Sequence, residues 1–211
     1  MKLVLIGAPG SGKGTLAGLL KSKYGWLHIS TGDILRDEIS KQTEIGQIAK
    51  DLIENGNFVP DQLITKMVEN RLEQDDAKAG FILDGFPRTI NQFNSMLGHI
   101  EIDKAIFLDT DEDVIINRLT SRIQCPKCKE VYSTRTHSLD ICSKCGEKLI
   151  VRKDDNLESI RHRLEVYENE TKPIVDCFRK ENKLLDISGN LSPDETLILV
   201  ERALGLGEEK S

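Results

Sequence analysis

The 211-residue chain is poor in aromatic side chains and has no excess of positive charge. Phenylalanine, tyrosine and tryptophan together make up 5% of it, and 29 basic against 35 acidic residues leave a net charge of −6. Proteins that bind single-stranded nucleic acid stack bases on aromatic side chains and follow the backbone with basic ones. The composition therefore argues against a nucleic-acid partner.

Long apolar runs are also missing. No stretch of about 18 apolar residues occurs, so we expect no membrane-spanning helix. The first residues form an apolar strand, without a basic segment leading into a hydrophobic one, and we expect a soluble, cytoplasmic protein. In that compartment, five cysteines favour metal ligands over disulfides.

The most informative segment that is present is the first fifteen residues, MKLVLIGAPGSGKGT. An apolar strand leads into a glycine-rich turn, and Lys13 and Thr15 open a helix; Gly14 stands between them, so the fit to the nucleoside-triphosphate loop is loose. Glycines let backbone N–H groups surround a phosphate, and the helix N-terminus and Lys13 add positive charge. The segment predicts binding of a nucleotide.

Apolar strands alternate with amphipathic helices along the rest of the chain. We predict strands at residues 2–6, 26–29, 81–84, 105–108 and 184–187, one long helix over about 156–180, and a frayed tail over 205–211. This order is typical of an α/β fold with a parallel sheet covered on both faces. The glycine-rich loop, Thr31 and Asp84 would then meet at the carboxyl ends of the strands, where such sheets bind ligands.

The cysteines form two CxxC pairs separated by thirteen residues, Cys125–Cys128 and Cys142–Cys145. This spacing predicts a tetrahedral zinc site, and four protein ligands make it structural. Iron or cobalt also suits four thiolates, and two disulfides or a redox pair are the competing interpretations. Cys177 lies on an apolar helix face, where we expect packing.

Four motifs in register resemble adenylate kinases of the bacterial long-lid, zinc-binding type. They are GAPGSGKGT at 7–15, HISTGD at 28–33, DGFPRT at 84–89 and RKDD at 152–155. The resemblance implies the P-loop nucleoside monophosphate kinase fold, with a five-stranded parallel sheet flanked by helices. It divides the chain into a core (1–29, 60–121 and 156–211), a helical insertion that binds AMP (30–59) and a zinc-bearing lid (122–155).

The resemblance also assigns site residues. Catalysis is assigned to Lys13, Arg88, Arg122, Arg152 and Arg163. ATP binding is assigned to Gly10, Ser11, Gly12, Lys13, Gly14, Thr15, Arg118, Arg122, Val131, Tyr132 and Leu191. AMP binding is assigned to Thr31, Arg36, Asn57, Phe58, Val59, Gly85, Phe86, Pro87, Arg88, Gln92, Arg152 and Arg163. Asp84 is expected to hold Mg²⁺ through water. The alternative for Asp84 is an acidic residue that caps a helix or stabilises a turn. The alternative for each helix arginine, taken singly, is a solvated surface residue.

The implied activity is Mg²⁺-dependent phosphoryl transfer, ATP + AMP to 2 ADP, by a monomer whose lid closes over both nucleotides. Thr31, Thr89 and Gln92 match the adenine-specific members of this kinase group. A monophosphate kinase with another base preference is the nearest alternative. A nucleic-acid-binding module built on the cysteine segment is the alternative from a different class, and the acidic charge and few aromatics oppose it.

Overall fold

A computed structural model describes residues 1–206, and its centre is a five-stranded sheet. The strands of the sheet are β1 (Lys2–Ile6), β2 (Leu27–Ser30), β3 (Phe81–Asp84), β4 (Lys104–Asp109) and β7 (Leu184–Ser188). They lie in the order β2-β3-β1-β4-β7, and each pairing is parallel, with Val4 opposite both Leu83 and Ala105. A separate antiparallel pair consists of β5 (Arg122–Gln124) and β6 (Val131–Ser133). The predicted α/β fold with a five-stranded parallel sheet is confirmed.

The central strand β1 is buried on both faces because its neighbours and the covering helices leave no solvent side. Leu3 and Leu5 point into one apolar cluster, with Leu16 and Leu20 from the first helix. Val4 and Ile6 point into the other cluster. The alternation follows from the two-residue period of a strand, and it explains why the sequence is apolar without a break.

Helices cover both faces of the sheet. They are α1 (Lys13–Tyr24), α2 (Thr31–Ser40), α3 (Glu44–Glu54), α4 (Asp61–Leu72), α5 (Ile90–Met96), α6 (Glu112–Thr120), α7 (Leu157–Val166), α8 (Pro173–Lys180) and α9 (Pro193–Ala203). Helices α1 and α9 pack on one face, and α4, α5 and α8 on the other. None of the helices among residues 1–206 is long and apolar enough to cross a bilayer.

The long helix predicted over residues 156–180 is interrupted, and this prediction was wrong in that respect. A π-helical turn, Tyr167–Thr171, separates α7 from α8. The N–H of Lys172 donates to the carbonyl of Tyr167 at 2.9 Å, five residues back. Pro173 follows at the start of α8; because proline lacks an N–H and its ring clashes with the preceding turn, the regular hydrogen-bond ladder cannot continue through it.

Two segments extend from the core above the sheet. In the helical insertion, α2 and α3 pack closely at Gly46, where a Cβ would lie 2.2 Å from the carbonyl oxygen of Glu38. The lid consists of β5, β6 and the cysteine turns. At the chain's end, Leu206 donates its N–H to Glu201 at 2.8 Å, so the predicted fraying does not apply to Gly205 and Leu206. The remainder of that predicted tail, 207–211, lies outside the described residues.

Candidate active site

A cavity of about 1060 Å³ opens at the carboxyl ends of the sheet strands. It lies between the core, the helical insertion and the lid, and each of the three contributes to its wall. All the side chains assigned to nucleotides in the sequence line this cavity except that of Phe86, which is fully buried in the core. The strand topology therefore gathers residues that are more than 150 positions apart.

The glycine-rich loop wraps around the amino group of Lys13. Its Nζ donates to the carbonyls of Gly7 at 2.7 Å and Ala8 at 2.8 Å. Gly12, which precedes α1, has a φ of +104°, a conformation that favours glycine. Burial lowers the pKa of Lys13 to about 8, although the nearby Asp84 carboxylate raises it. A buried cation at a helix N-terminus is suited to a polyphosphate.

Asp84 ends β3 next to the glycine-rich loop. Its Oδ2 lies 3.3 Å from Nε2 of His28, which stands on β2 opposite Ile82, two residues before Asp84 on β3. Burial raises the pKa of Asp84, but His28 and Lys13 together lower it further, so the net shift is downward. The carboxylate is thus held ionised at the edge of the cavity, and such an oxygen ligand suits a Mg²⁺ that keeps part of its water shell.

Arginines surround the cavity, and each of four is fixed by an acceptor. Arg122 pairs with both oxygens of Asp155, with Nε to Oδ2 at 2.7 Å. Arg163 pairs with Asp154 at 2.8 Å. Two other arginines complete the set: Arg36 on Asp33 Oδ1 at 2.7 Å and Arg152 on Gln124 Oε1 at 2.6 Å.

The arginine side chains lie close together in a buried site, and the pKa values of two of them are lowered. Burial lowers the pKa of Arg88 to about 10, despite the opposing effect of Asp84. Burial and repulsion from Arg122 lower the pKa of Arg152 to about 9. Several buried guanidinium groups in one cavity repel one another, so a multiply charged anion among them would be bound strongly.

The wall near the helical insertion is built around Arg88 and Gln92. Nε of Arg88 donates to the carbonyl of Gly85 at 2.9 Å, as does Oγ1 of Thr31 at 2.9 Å. The Arg88 guanidinium lies over the ring of Phe58, 5.4 Å from its centroid. Gln92 Oε1 accepts the N–H of Arg88 at 2.7 Å, which fixes the turn that carries this arginine.

Asp61 does not line the cavity itself, but it holds this wall in place, and that role was not predicted. It accepts a hydrogen bond from Thr89 Oγ1 at 2.9 Å and another from Gln92 Nε2 at 2.7 Å. Asp154 and Asp155, which accept from Arg163 and Arg122, entered the sequence prediction only as part of the motif at 152–155. Their adjacency to Arg152 in that motif was a usable signal, whereas nothing in the sequence relates Asp61 to positions 28 and 31 residues away.

The wall near the lid and α6 carries Arg118, Val131 and Tyr132. Arg118 donates to the carbonyls of Gly189 at 2.7 Å and Leu191 at 3.1 Å, and it connects α6 to the loop after β7. The Tyr132 ring lines the cavity, while its hydroxyl lies 3.2 Å from the Cys142 sulfur. Tyr132 therefore links this wall directly to the cysteine cluster.

The four cysteine sulfurs lie within 4.8 Å of one another, and all five cysteines of the chain are free thiols. The separations are 3.4 Å for Cys125–Cys145 and 3.5 Å for Cys128–Cys142. A tetrahedral zinc with Zn–S bonds of about 2.3 Å needs separations of roughly 3.8 Å, so the cluster fits. Although burial raises it, the hydrogen bonds from Tyr132 and the turn amides lower the pKa of Cys142 to about 6. The disulfide alternative is not supported.

His137, in the lid, and Cys177, the fifth cysteine, have structural surroundings. His137 packs against the Tyr132 ring, with centroids 4.4 Å apart, and its Nε2 lies 3.0 Å from the carbonyl oxygen of Ile141. Cys177 is half-buried against the apolar cluster of β1, as expected for a packing residue.

A glycine-rich loop after the first strand of a parallel sheet, facing clustered arginines across a cavity, defines a P-loop phosphotransferase. Comparison with known proteins narrows this class. The family profile described as adenylate kinase matches residues 5–183. The chain is 43% identical to an adenylate kinase of Fervidobacterium nodosum over 100% of both chains. It is 42% identical to that of Thermoanaerobacter sp. strain X514, over 97% of this chain and 98% of the relative. The chain belongs to the adenylate kinase family, and the predicted family is confirmed.

Proposed function

We propose that the protein transfers the γ-phosphoryl group of ATP to AMP, reversibly, to give two molecules of ADP. An AMP phosphate oxygen attacks the γ-phosphorus, and the bond from that phosphorus to the ADP leaving oxygen breaks. The observation that carries the proposal is the arginine cluster that lies between the glycine-rich loop and the wall around Gln92. Membership of the adenylate kinase family supports it.

The residues of the core and lid would act by position and charge, because phosphoryl transfer needs little covalent help. Lys13 and the amides of residues 10–15 would bind the ATP phosphates. Arg88 would bind the AMP phosphate from its turn. Arg122, Arg152 and Arg163 would surround the group in transit, and each can hold two phosphate oxygens at once.

On the ATP side, Arg118, Val131, Tyr132 and Leu191 would surround the nucleotide. On the AMP side, Thr31, Arg36, the 57–59 segment and the 85–88 turn would do so, and Gln92 would read the base. Asp84 would hold Mg²⁺ through water, and the ion supplies neutralisation of the developing phosphate charge.

The division into core, helical insertion (30–59) and lid (122–155) is part of the proposal. Closing both segments over the nucleotides would exclude water, which could otherwise accept the phosphoryl group. The cysteine cluster would hold a structural zinc that orders the lid. Free thiols suit a reducing compartment, so we place the protein in the cytoplasm, as a monomer that acts in AMP salvage.

The test is a comparison of acceptors. Purified protein is incubated with Mg²⁺, ATP and one of AMP, UMP, CMP or GMP, and ADP formation is followed. We expect transfer to AMP at least 10²-fold more efficient than to the others, since a site built to hydrogen-bond one base leaves its polar groups unpaired with another. Preference for another base would overturn the adenine assignment, and no transfer to any acceptor would overturn the reaction.

A further inference from the structure

An ion pair joins the lid to the helical insertion across the mouth of the cavity. Nζ of Lys129 lies 2.7 Å from Oδ1 of Asp37, which is 92 residues away on α2. Both side chains are partly shielded, with 31% and 45% of their surface exposed. A second pair, Lys153–Glu54 at 2.8 Å, joins the same segments, but Lys153 is 75% exposed.

Lys129 occupies a backbone position that is unusual for a residue with a side chain. It follows the second cysteine of the first CxxC turn with a φ of +64°. The second CxxC turn has the same design: the N–H of Lys129 donates to Cys125 O at 3.1 Å, and that of Gly146 donates to Cys142 O at 2.9 Å. Gly146 has a φ of +74°. The same turn therefore carries glycine once and lysine once.

Backbone conformation alone explains the glycine. A Cβ at Gly146 would meet no atom within 4 Å, so lack of space does not require glycine there. Left-handed backbone disfavours residues with a Cβ, and glycine would be the less strained residue at position 129 too. The reason why position 129 carries lysine must therefore lie in a contact that the lysine side chain makes. Its Nζ also donates to the carbonyl of Pro126 at 2.9 Å, which directs the amine towards Asp37.

We propose that Lys129 and Asp37 form a clasp that favours the closed lid, and that the first CxxC turn positions it. The cysteine site then contributes to domain closure as well as to lid stability. Lys129 is a positioning residue in this scheme, since it acts through the lid. The assignment of the cavity to nucleotides rests on the proposed function, but the clasp itself is a contact between two segments of this chain.

The clasp predicts a specific kinetic pattern. Weakening it shifts the lid towards the open state, so substrate KM values rise while kcat stays the same or increases, because product release needs an open lid. A partly exposed ion pair is expected to change the closure equilibrium two- to fivefold at low salt, and salt should remove the effect.

The experiment measures closure directly in the zinc-loaded protein. Fluorophores are introduced through non-natural amino acids at the exposed positions Asp51 and Ser138, on the helical insertion and the lid. Energy transfer between them reports the closed-to-open ratio in Lys129→Gly, in Asp37→Asn and in the double variant. Asp75→Asn is the matched control, since it breaks an exposed ion pair of 2.6 Å with Lys78 that lies wholly within the core.

We expect each single variant to lower the closed-to-open ratio two- to fivefold, the double variant to add nothing, and the control to change nothing. Lys129→Gly should also keep or raise the melting temperature of the lid, because it removes the strained residue. An unchanged ratio in either single variant, or fully additive effects, would overturn the clasp. The energy-transfer signal needs no turnover, so it stands even if the proposed reaction fails.

Discussion

The loop around Lys13 and the lid both present cations to the same cavity, but they are held in different ways. The loop follows β1, where Val4, Leu5 and Ile6 are at most 2% exposed, between two large apolar clusters. The buried cluster of the lid contains only Cys125, Cys142 and Leu149. Burial of apolar surface stabilises the first region, whereas the second has too little of it, and we propose that a metal on the four cysteines supplies the missing stability.

The hydrogen-bond partners of the cations also differ between the two regions: they are close in sequence in the loop and distant in the lid. Lys13 is held by backbone carbonyls of its own loop, so its position is fixed as soon as that loop folds. Arg122 is held by Asp155, beyond the cysteine turns, so its position depends on the order of the lid as a whole. Both kinds of support suit the proposed reaction, which needs a fixed loop for the phosphates and a lid that would open to admit substrates and close to exclude water.

Replacing Lys13 should affect chemistry and leave folding intact. We expect Lys13→Ala to lower kcat/KM for ADP formation about 10²- to 10³-fold, the usual effect of removing one charge-stabilising donor. Steady-state kinetics measures the loss, and circular dichroism measures folding. Lys66→Ala, on an exposed face of α4, is the control. Activity within tenfold of the unmodified protein would contradict the phosphate role of Lys13.

Replacing one cysteine of the cluster should lower the stability of the lid, whereas replacing Lys13 should lower activity without affecting stability. In Cys142→Ser we expect loss of the metal and a fall of roughly 10 °C or more in the melting temperature of the lid, while the sheet keeps its stability. Hydrogen exchange separates the two, since lid amides should lose protection and strand amides should not. Cys177→Ser, at the cysteine in α8 that lies outside the cluster, should change neither. A lid equally protected in both variants would show that metal binding does not order it.

The charge of Lys13 predicts a pH dependence of ATP affinity that begins at lower pH than any due to Arg88 or Arg152, whose pKa values are about 10 and about 9. The pKa of Lys13 is lowered to about 8, so the amine loses its charge as the pH rises through that value. Phosphate binds the charged form, and ATP affinity should therefore be highest below pH 8 and fall up to about tenfold by pH 9. Calorimetric titration with ATP at several pH values measures this. Lys13→Arg should shift the fall to higher pH, because a guanidinium keeps its charge to a higher pH than an amine; the same fall in that variant would contradict the assignment.

The smallest expected effect concerns Asp61, which hydrogen-bonds Gln92 but does not itself line the cavity. Asp61→Asn places an amide opposite the donors Thr89 and Gln92, so we expect KM for AMP to rise about threefold to tenfold, the loss of one or two hydrogen bonds. KM for ATP is the internal control and should stay within twofold, since Asp61 lies away from Lys13. Equal changes in both constants would point to a general loss of stability.

Features set by neighbouring residues could be read from the sequence. Strands β1, β3 and β4 are short apolar runs next to turns, the glycine-rich loop follows β1 directly, and the cysteine spacing restricts its ligands to one geometry. Helix α5 was not predicted, since its seven residues, INQFNSM, have little apolar periodicity and depend on the Thr89 cap. The π turn was missed because an apolar pattern of helical period continues through it.

What the chain order could not disclose is which groups meet across the cavity. The acceptors of Arg163 and Arg36 lie within ten residues of them, but Asp61 reaches Gln92 from a different helix, and Lys129 reaches Asp37 from a different segment. Local propensity reflects interactions over a few residues. Contacts of this second kind arise only after the parallel sheet has brought the ends of its strands to one edge, where the insertion and the lid can close over them.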